Sequence, residues 1–382
     1  MNVKKIIVAG STGSIGQQTL AAARSLGVRV CGLLANANIK LLEDQIREFS
    51  PGCAVVADEE KYKELKLRVK DLNVRLLCGP GAIGEMIAEE DPAIVVNGIA
   101  GIAGLRCTLA TVRAKKRLAL ANKESLVVAG ELVTRLVEEL SVQILPVDSE
   151  HSAIFQCLMA GHKSEVKSLI LTASGGPFFG KSGEFLKDVS VSQVLRHPSW
   201  KMGQKITVDS ATLINKGFEV LEAGWLFGVD LERIKVLIHP QSIVHSMVEF
   251  VDNSVVAQMS VPDMTGVIAY ALTFPKRAQS VIAELDLAKI KSLDFFEVDN
   301  DTFHGISLAR RAAALGGLYP CALNGANEQL VEMFLSGKVK FAAMTEVLSD
   351  CLESLNFKNI EMNEENLMLA DDLARKYVVS HV

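Results

Sequence analysis

The residues best suited to chemistry stand in Leu145-Pro146-Val147-Asp148-Ser149-Glu150-His151, where two carboxylates flank one hydroxyl at the end of the apolar run Val142–Val147. Acidic groups at the mouth of a buried strand suit a cation or proton transfer. Taken alone, the stretch reads first as a helix cap, with Ser149 or Asp148 at the N-cap and Glu150 in the first turn. A second group, Asn122-Lys123-Glu124-Ser125, follows the strand-like Arg117–Ala121. Glu124 fits an opening helical turn; Lys123 does not, unless an anion or carboxylate lies near it. A third, Ser174-Gly175-Gly176-Pro177-Phe178, offers a hydroxyl and bare amides. It reads equally as a phosphate cradle and as a tight turn. A fourth lies on a helix expected to start at an Asp209 or Ser210 cap and run to about Phe227. There Asn215, Glu219 and Glu222 share one face and Lys216 lies one turn before Glu219. Such a stripe is normally solvated. Gly217 inside this helix implies the close approach of some other element.

The elements that must carry these groups begin with a strand at residues 4–9, the turn Gly10-Ser11-Thr12-Gly13-Ser14-Ile15-Gly16 and a helix from Gln17 to Leu26 stopped by Gly27. Strand, glycine turn and helix in that order suit a dinucleotide: glycines admit the pyrophosphate and the helix end supplies amides. The spacing is G-x-x-G-x-x-G, a variant of the usual motif. The second strand, Val28–Ala35, ends without the acid that would hold the ribose of NAD, and presents Asn36, Ala37, Asn38 and Lys40 instead. That favours NADPH. Strand and helix patterns then alternate to Val147, as in a doubly wound parallel sheet. A further strand, Val166–Leu171, precedes the serine–glycine turn. The long polar stretch Phe179–Gly203 contains His197-Pro198-Ser199-Trp200-Lys201-Met202-Gly203, and a lid closing over a ligand would bury Trp200 and Met202. Val236–Ile238, His245–Val251 and Ser254–Val261 read as strands that could also supply a dimer surface. His239 and His245 lack zinc-ligand spacing and read as structural hydrogen-bonding residues. Beyond a linker reaching about Asp301 the chain reads as helical and structural, with Asn324-Gly325-Ala326-Asn327-Glu328 between two runs of helical spacing.

The totals exclude several classes. At 382 residues two or three domains are expected, and 49% apolar with 22% charged residues is the balance of a globular protein. A net charge of −5 with no long basic run argues against nucleic acid as the main partner. No stretch reaches the ~18 uninterrupted apolar residues of a spanning helix, and the N-terminus has no signal-peptide pattern. The seven scattered cysteines form no CxxC and read as buried thiols of a reducing compartment. A cytoplasmic location without membrane partners is therefore expected.

Together the motifs at 10–16, 121–125, 146–151, 174–178, 215–219 and His239-Pro240-Gln241-Ser242 resemble the 1-deoxy-D-xylulose 5-phosphate reductoisomerase family, along nearly the whole chain. The resemblance implies an α/β protein: a Rossmann-like NADPH-binding domain at 1–147, a catalytic α/β domain with mixed sheet at 148–275 carrying a flap at about 175–204, a linker at 276–300 and a C-terminal α-helical domain at 301–382. It implies that Thr12, Gly13, Ser14 and Ile15 hold NADPH with Asn36, Asn38, Asn122, Glu124 and Gly203. Asp148, Glu150 and Glu219 would bind one divalent cation. Ser149 and Lys123 would contact the substrate's hydroxyls and carbonyl, and Ser174, His197, Ser210, Asn215 and Lys216 would surround its phosphate. An all-oxygen set suits Mg²⁺ or Mn²⁺ and not zinc. The implied reaction breaks and remakes a carbon–carbon bond by retro-aldol and aldol steps, and NADPH then reduces the branched aldehyde to 2-C-methyl-D-erythritol 4-phosphate. Glu150 or the metal-bound network would move the hydroxyl proton while Lys123 orients and polarises. A homodimer is implied as well. Many family members carry a lysine where this chain has Ala37, a departure that Lys40 could compensate. The competing readings are a metal-independent NADP-dependent semialdehyde or hydroxy-acid dehydrogenase, and a non-catalytic NADPH-binding sensor.

Overall fold

The structure, a computed structural model, describes residues 5–200, 202–279 and 281–382. Lys4 of the expected first strand and Lys201 of the expected lid lie outside the described residues. The chain divides into two compact units that interleave along the sequence: Met1–Ser125, Val133–Ser152 and Asp263–Ala283 form one, and Leu126–Leu132, Ala153–Pro262 and Glu284–Val382 the other.

In the first unit the order is β1 (Lys5–Ala9), α1 (Ser14–Leu26), β2 (Arg29–Ala35), α2 (Ile39–Phe49), β3 (Cys53–Val56), α3 (Glu59–Arg68), β4 (Arg75–Cys78), α4 (Ile83–Glu90), β5 (Ile94–Asn97), α5 (Gly104–Arg113), β6 (Arg117–Leu120), α6 (Glu124–Leu140) and β7 (Ile144–Pro146). The seven strands are parallel, in the order β4-β3-β2-β1-β5-β6-β7. Ile6, Ile7, Val8, Ile94, Val95 and Val96 are fully buried, the continuous apolar pattern of strands covered on both faces. The strand order reverses between β1 and β5, where a doubly wound sheet opens its ligand crevice. The expected N-terminal fold is present.

The chain continues with α7 (Ser149–Cys157), β8 (Val166–Ala173), α8 (Gly183–Leu186), α9 (Val191–Val194), α10 (Gln204–Ala211), α11 (Ile214–Phe227), β9 (Ile234–Ile238), β10 (Val244–Phe250), β11 (Val255–Met259) and α12 (Met264–Thr273). It ends with α13 (Leu287–Ile290), α14 (Gly305–Leu315), α15 (Tyr319–Leu335), α16 (Met344–Ser354) and α17 (Glu364–His381). The second unit's sheet is mixed, in the order β11-β10-β8-β9 with β8 and β9 parallel. Helix α12 returns to the first unit and packs on α1. Within the second unit α14 packs along α11 and α15 touches α10. Residues 294–297 of the expected linker are tied to β9 by paired backbone hydrogen bonds between Phe296 and Ile238.

One local expectation is corrected. Asp209 and Ser210 do not cap a long helix: they lie near the end of α10, and the chain breaks at Leu213, a residue with φ 58°. The break lies where Gly305 of α14 packs so close to Thr212–Ile214 that a Cβ there would stand 2.5 Å from the Thr212 carbonyl oxygen. The stretch from 179 onward holds two short helices, capped by Ser182 and Ser190, that bury Leu186 and Val194. All seven cysteines are free thiols; six are buried and Cys78 is exposed. Among the described residues no helix is long and apolar enough to cross a membrane.

Candidate active site

Gly10 follows β1 with φ 77° and its backbone lies against Gly98, which follows β5; a Cβ at Gly10 would sit 2.6 Å from the Gly98 carbonyl oxygen. The amides of Gly10 and Ser11 bond the Leu34 carbonyl at 2.8 and 2.9 Å, so the turn is stitched across the ends of three strands. No side chain caps α1 at Gly13, which leaves its N-terminus suited to an anion. Thr12, Gly13, Ser14 and Ile15 line this turn, and Asn36 is exposed at the end of β2 on the same sheet edge. Asn38 caps α2 by accepting from the Leu41 amide.

Asn122 is buried and braces the turn after β5: its amide nitrogen donates to the carbonyls of Ile99 and Gly101, both at 2.8 Å, and to Glu124. The next residue, Lys123, begins α6 and reaches the carboxylate beyond β7, with Nζ 2.7 Å from Asp148 Oδ2 and both side chains nearly buried. Asp148 also accepts from the Glu150 amide at 3.3 Å, so it caps α7 as well. Burial by itself would raise its carboxyl, but the Lys123 ammonium and His151 outweigh that and hold it well below the usual carboxylate range. Ser149 donates its hydroxyl to Glu150. The opening stretch is thus both a cap and an ionic centre. His151, given no role above, is fully buried with Nδ1 3.6 Å from Asp148 Oδ1; its spacing of three from Asp148 on a helix was the available signal.

In the second unit Ser174 and His197 meet at 2.9 Å. His197 Nδ1 accepts two backbone amides, Ser199 at 3.2 Å and Trp200 at 2.9 Å. The proton of the neutral ring is therefore on Nε2, which donates to Ser174 Oγ. Burial lowers the His197 pKa. Ser174 Oγ also accepts the Gly176 amide at 3.2 Å, and Gly176, with φ 67°, is pressed against the Ser210 carbonyl. Ser174, His197 and Ser210 are therefore brought together, and Gly203 is the N-cap of α10, close by in sequence.

The polar stripe of α11 is not its solvated side. Lys216, Glu219 and Glu222 are almost completely buried. Lys216 pairs with Glu219, and Asn215 donates to the other Glu219 oxygen. Gly217 admits α14: a Cβ there would lie 2.7 Å from Ala309 Cβ and from the Gly305 carbonyl oxygen. His239 and His245 do hold the sheet, as expected. His239 bonds the Asp294 carbonyl at 2.8 Å and the Ile243 and Val244 amides at 3.2 Å, and His245 bonds Ser260 at 2.8 Å. Ser199 anchors the stretch before α10 by donating to the Pro240 carbonyl at 3.1 Å.

A doubly wound sheet with a glycine turn at its switch point, and a buried lysine–aspartate pair on the same edge, define a dinucleotide-dependent oxidoreductase. Family models described as the reductoisomerase, its C-terminal domain and a further DXP reductoisomerase C-terminal domain match residues 6–130, 144–227 and 259–377. The 1-deoxy-D-xylulose 5-phosphate reductoisomerase of Caldanaerobacter subterraneus subsp. tengcongensis is 50% identical over 362 residues, 94% of each chain. The solved structure of the Zymomonas mobilis enzyme in complex with NADPH is 38% identical with a TM-score of 0.92, covering 99% of this chain and 98% of that one. Another, of DOX-P reductoisomerase in complex with NADPH, fosmidomycin and magnesium, is 39% identical with a TM-score of 0.93 and the same coverage. This chain belongs to the 1-deoxy-D-xylulose 5-phosphate reductoisomerase family.

Proposed function

We propose that the protein converts 1-deoxy-D-xylulose 5-phosphate to 2-C-methyl-D-erythritol 4-phosphate with NADPH and one divalent cation, supplying isoprenoid precursors by the non-mevalonate route. The observation that carries the reading is the Lys123–Asp148 pair, set at the ends of β6 and β7 on the edge that also bears the glycine turn. Asp148, Glu150 and Glu219 would hold the cation. The donor chemistry fits: all are carboxylates, and Asp148 and Glu219 are each already paired with a lysine, so both are built to face positive charge. When bound, Mg²⁺ or Mn²⁺ supplies Lewis-acid stabilisation of negative charge on substrate oxygens. NADPH, on Thr12, Gly13, Ser14 and Ile15 with Asn36, Asn38, Asn122, Glu124 and Gly203, supplies the hydride.

The remaining work falls to side chains. Lys123 orients and polarises the carbonyl, Ser149 holds a hydroxyl, and Glu150 moves the hydroxyl proton in the retro-aldol and aldol steps. Ser174, His197, Ser210, Asn215 and Lys216 receive the phosphate. His197 leaves the Ser174 hydroxyl hydrogen available to an anion by donating to its oxygen. The flap bearing Trp200 closes to exclude water, which would protonate the carbanionic intermediate. We place the enzyme in the cytoplasm as a homodimer, with β11 at the exposed sheet edge, where Val255 and Met259 are solvent-facing, as the pairing surface.

The test is NADPH consumption with 1-deoxy-D-xylulose 5-phosphate, with and without EDTA and added Mn²⁺. Turnover abolished by chelation and restored by the metal supports the reading. Turnover that survives EDTA points to a metal-independent dehydrogenase, and cofactor binding without consumption to a sensor.

A further inference from the structure

We propose that Asn327 is a positioning residue for the phosphate pocket, acting through Asp209; the proposal rests on the pocket assigned above to Ser174, His197, Ser210, Asn215 and Lys216. Asp209 is 2% exposed and lies near the end of α10. Its Oδ1 accepts from Asn327 Nδ2 at 2.8 Å, and its Oδ2 pairs with Lys205 Nζ at 3.0 Å. A buried carboxylate persists only where such partners compensate its lost hydration. Here one of the two comes from α15, a helix more than a hundred residues further along the chain.

What Asp209 holds in place is the reason to assign it a role. The next residue is Ser210, whose carbonyl abuts Gly176. Three residues beyond that comes the left-handed turn at Leu213 that aims α11, with Asn215 and Lys216 in its first turn. A shift of α10 would therefore displace Ser210 and, through the Leu213 turn, Asn215 and Lys216, and would disturb the Gly176 turn that follows Ser174. Asn327 is 1% exposed. Its amide orientation is fixed, because turning its oxygen toward Asp209 would set two acceptors face to face. Helix α15 is held in turn: Asn324 donates to Glu328, and Arg375 of α17 bridges Glu328 and Asp371. An apolar contact between α10 and α15 would hold the helices together at lower desolvation cost but would not fix their register.

The test compares Asn327→Leu with Lys205→Met, measuring KM and kcat for the sugar phosphate, the competitive inhibition constant of inorganic phosphate, NADPH affinity and melting temperature. The expected result is a tenfold or greater rise in KM and in the phosphate constant together, with kcat within threefold and a much smaller change in NADPH affinity, since Gly203 at the N-cap of α10 is one cofactor contact among nine. Exchanging the pair, Asp209→Asn with Asn327→Asp, keeps a hydrogen bond between the helices but leaves only an amide oxygen beside Lys205, and is expected to recover part of that loss. Unchanged KM and phosphate inhibition in the folded variants would overturn the proposal. So would a fall in melting temperature with no such change. If Asn327→Leu does not fold, the milder Asn327→Ser, which removes the amide donor to Asp209 without adding bulk, decides the matter by the same measurements. Inorganic phosphate that fails to compete with the substrate in the unaltered enzyme would instead overturn the pocket assignment, and the proposal with it.

Discussion

Lys123 Nζ and Asp148 Oδ2 lie 2.7 Å apart, joining the start of α6 to the start of α7. A carboxylate is at home at a helix N-terminus and an ammonium is not, so Asp148 is what makes Lys123 tolerable there. Both side chains are nearly buried, at 8% and 13% exposure. Lys123→Met is expected to cost about 3–5 kcal/mol of stability, the consequence of stranding a buried charge. Turnover should fall by about 10²–10⁴ while NADPH still binds. Thermal melts, cofactor fluorescence titration and steady-state kinetics check it; near-normal turnover would remove Lys123 from the chemistry.

Glu150 receives the Ser149 hydroxyl and begins α7 beside Asp148. Glu150→Gln keeps shape and hydrogen bonding but cannot carry a proton. Turnover should be lost with NADPH affinity and melting temperature preserved, and a fully active variant would refute the assignment.

His197 is neutral in the folded arrangement, because Nδ1 accepts two amides and burial depresses its pKa. With the folded pKa below the ordinary value of about 6.5, the unfolded or open state binds more protons between those two values. The arrangement is therefore stable above that window and is lost as pH falls through it. Substrate KM should rise once the pH falls below the depressed pKa of the folded ring, by at most about tenfold per pH unit, and this rise should be missing in His197→Gln. A KM profile in the unaltered enzyme that matches that of His197→Gln throughout would count against this role.

Gly217 gives a test in which two effects oppose one another. In an ordinary helix, glycine to alanine stabilises by about 1 kcal/mol. Here the added methyl would lie 2.7 Å from both Ala309 Cβ and the Gly305 carbonyl oxygen. Gly217→Ala should therefore destabilise by about 1–3 kcal/mol and lower kcat/KM, since Lys216 and Glu219 flank it. A rise in melting temperature would show that α11 and α14 have room to part.

Gly10→Ala meets both a positive φ and the Gly98 carbonyl at 2.6 Å. It should weaken NADPH binding tenfold or more in a fluorescence titration and leave the melting of α14–α17 contacts, followed by hydrogen exchange, unchanged.

Elements with a local cause are legible in the residues alone. Strand, glycine turn and helix at Lys5–Leu26 follow from apolar runs and from glycines that only a close backbone approach requires, and Asp148 as a helix cap follows from its position after Pro146-Val147. That Gly217 admits another element was legible too, though not that the element is α14. Tertiary structure decided the rest, because periodicity shows that a face is polar and not what covers it. Of the stripe Asn215, Glu219 and Glu222, whose pattern predicts a solvated face, both carboxylates are buried, as is Lys216, and Asn215 is half-buried. The break at Leu213 has no proline or glycine to announce it, and Gly305, which packs against it, is about ninety residues away. The pairing of α12 with α1, and of Asn327 with Asp209, joins segments with no local signal of one another. Such contacts depend on which surfaces the completed fold leaves to be filled.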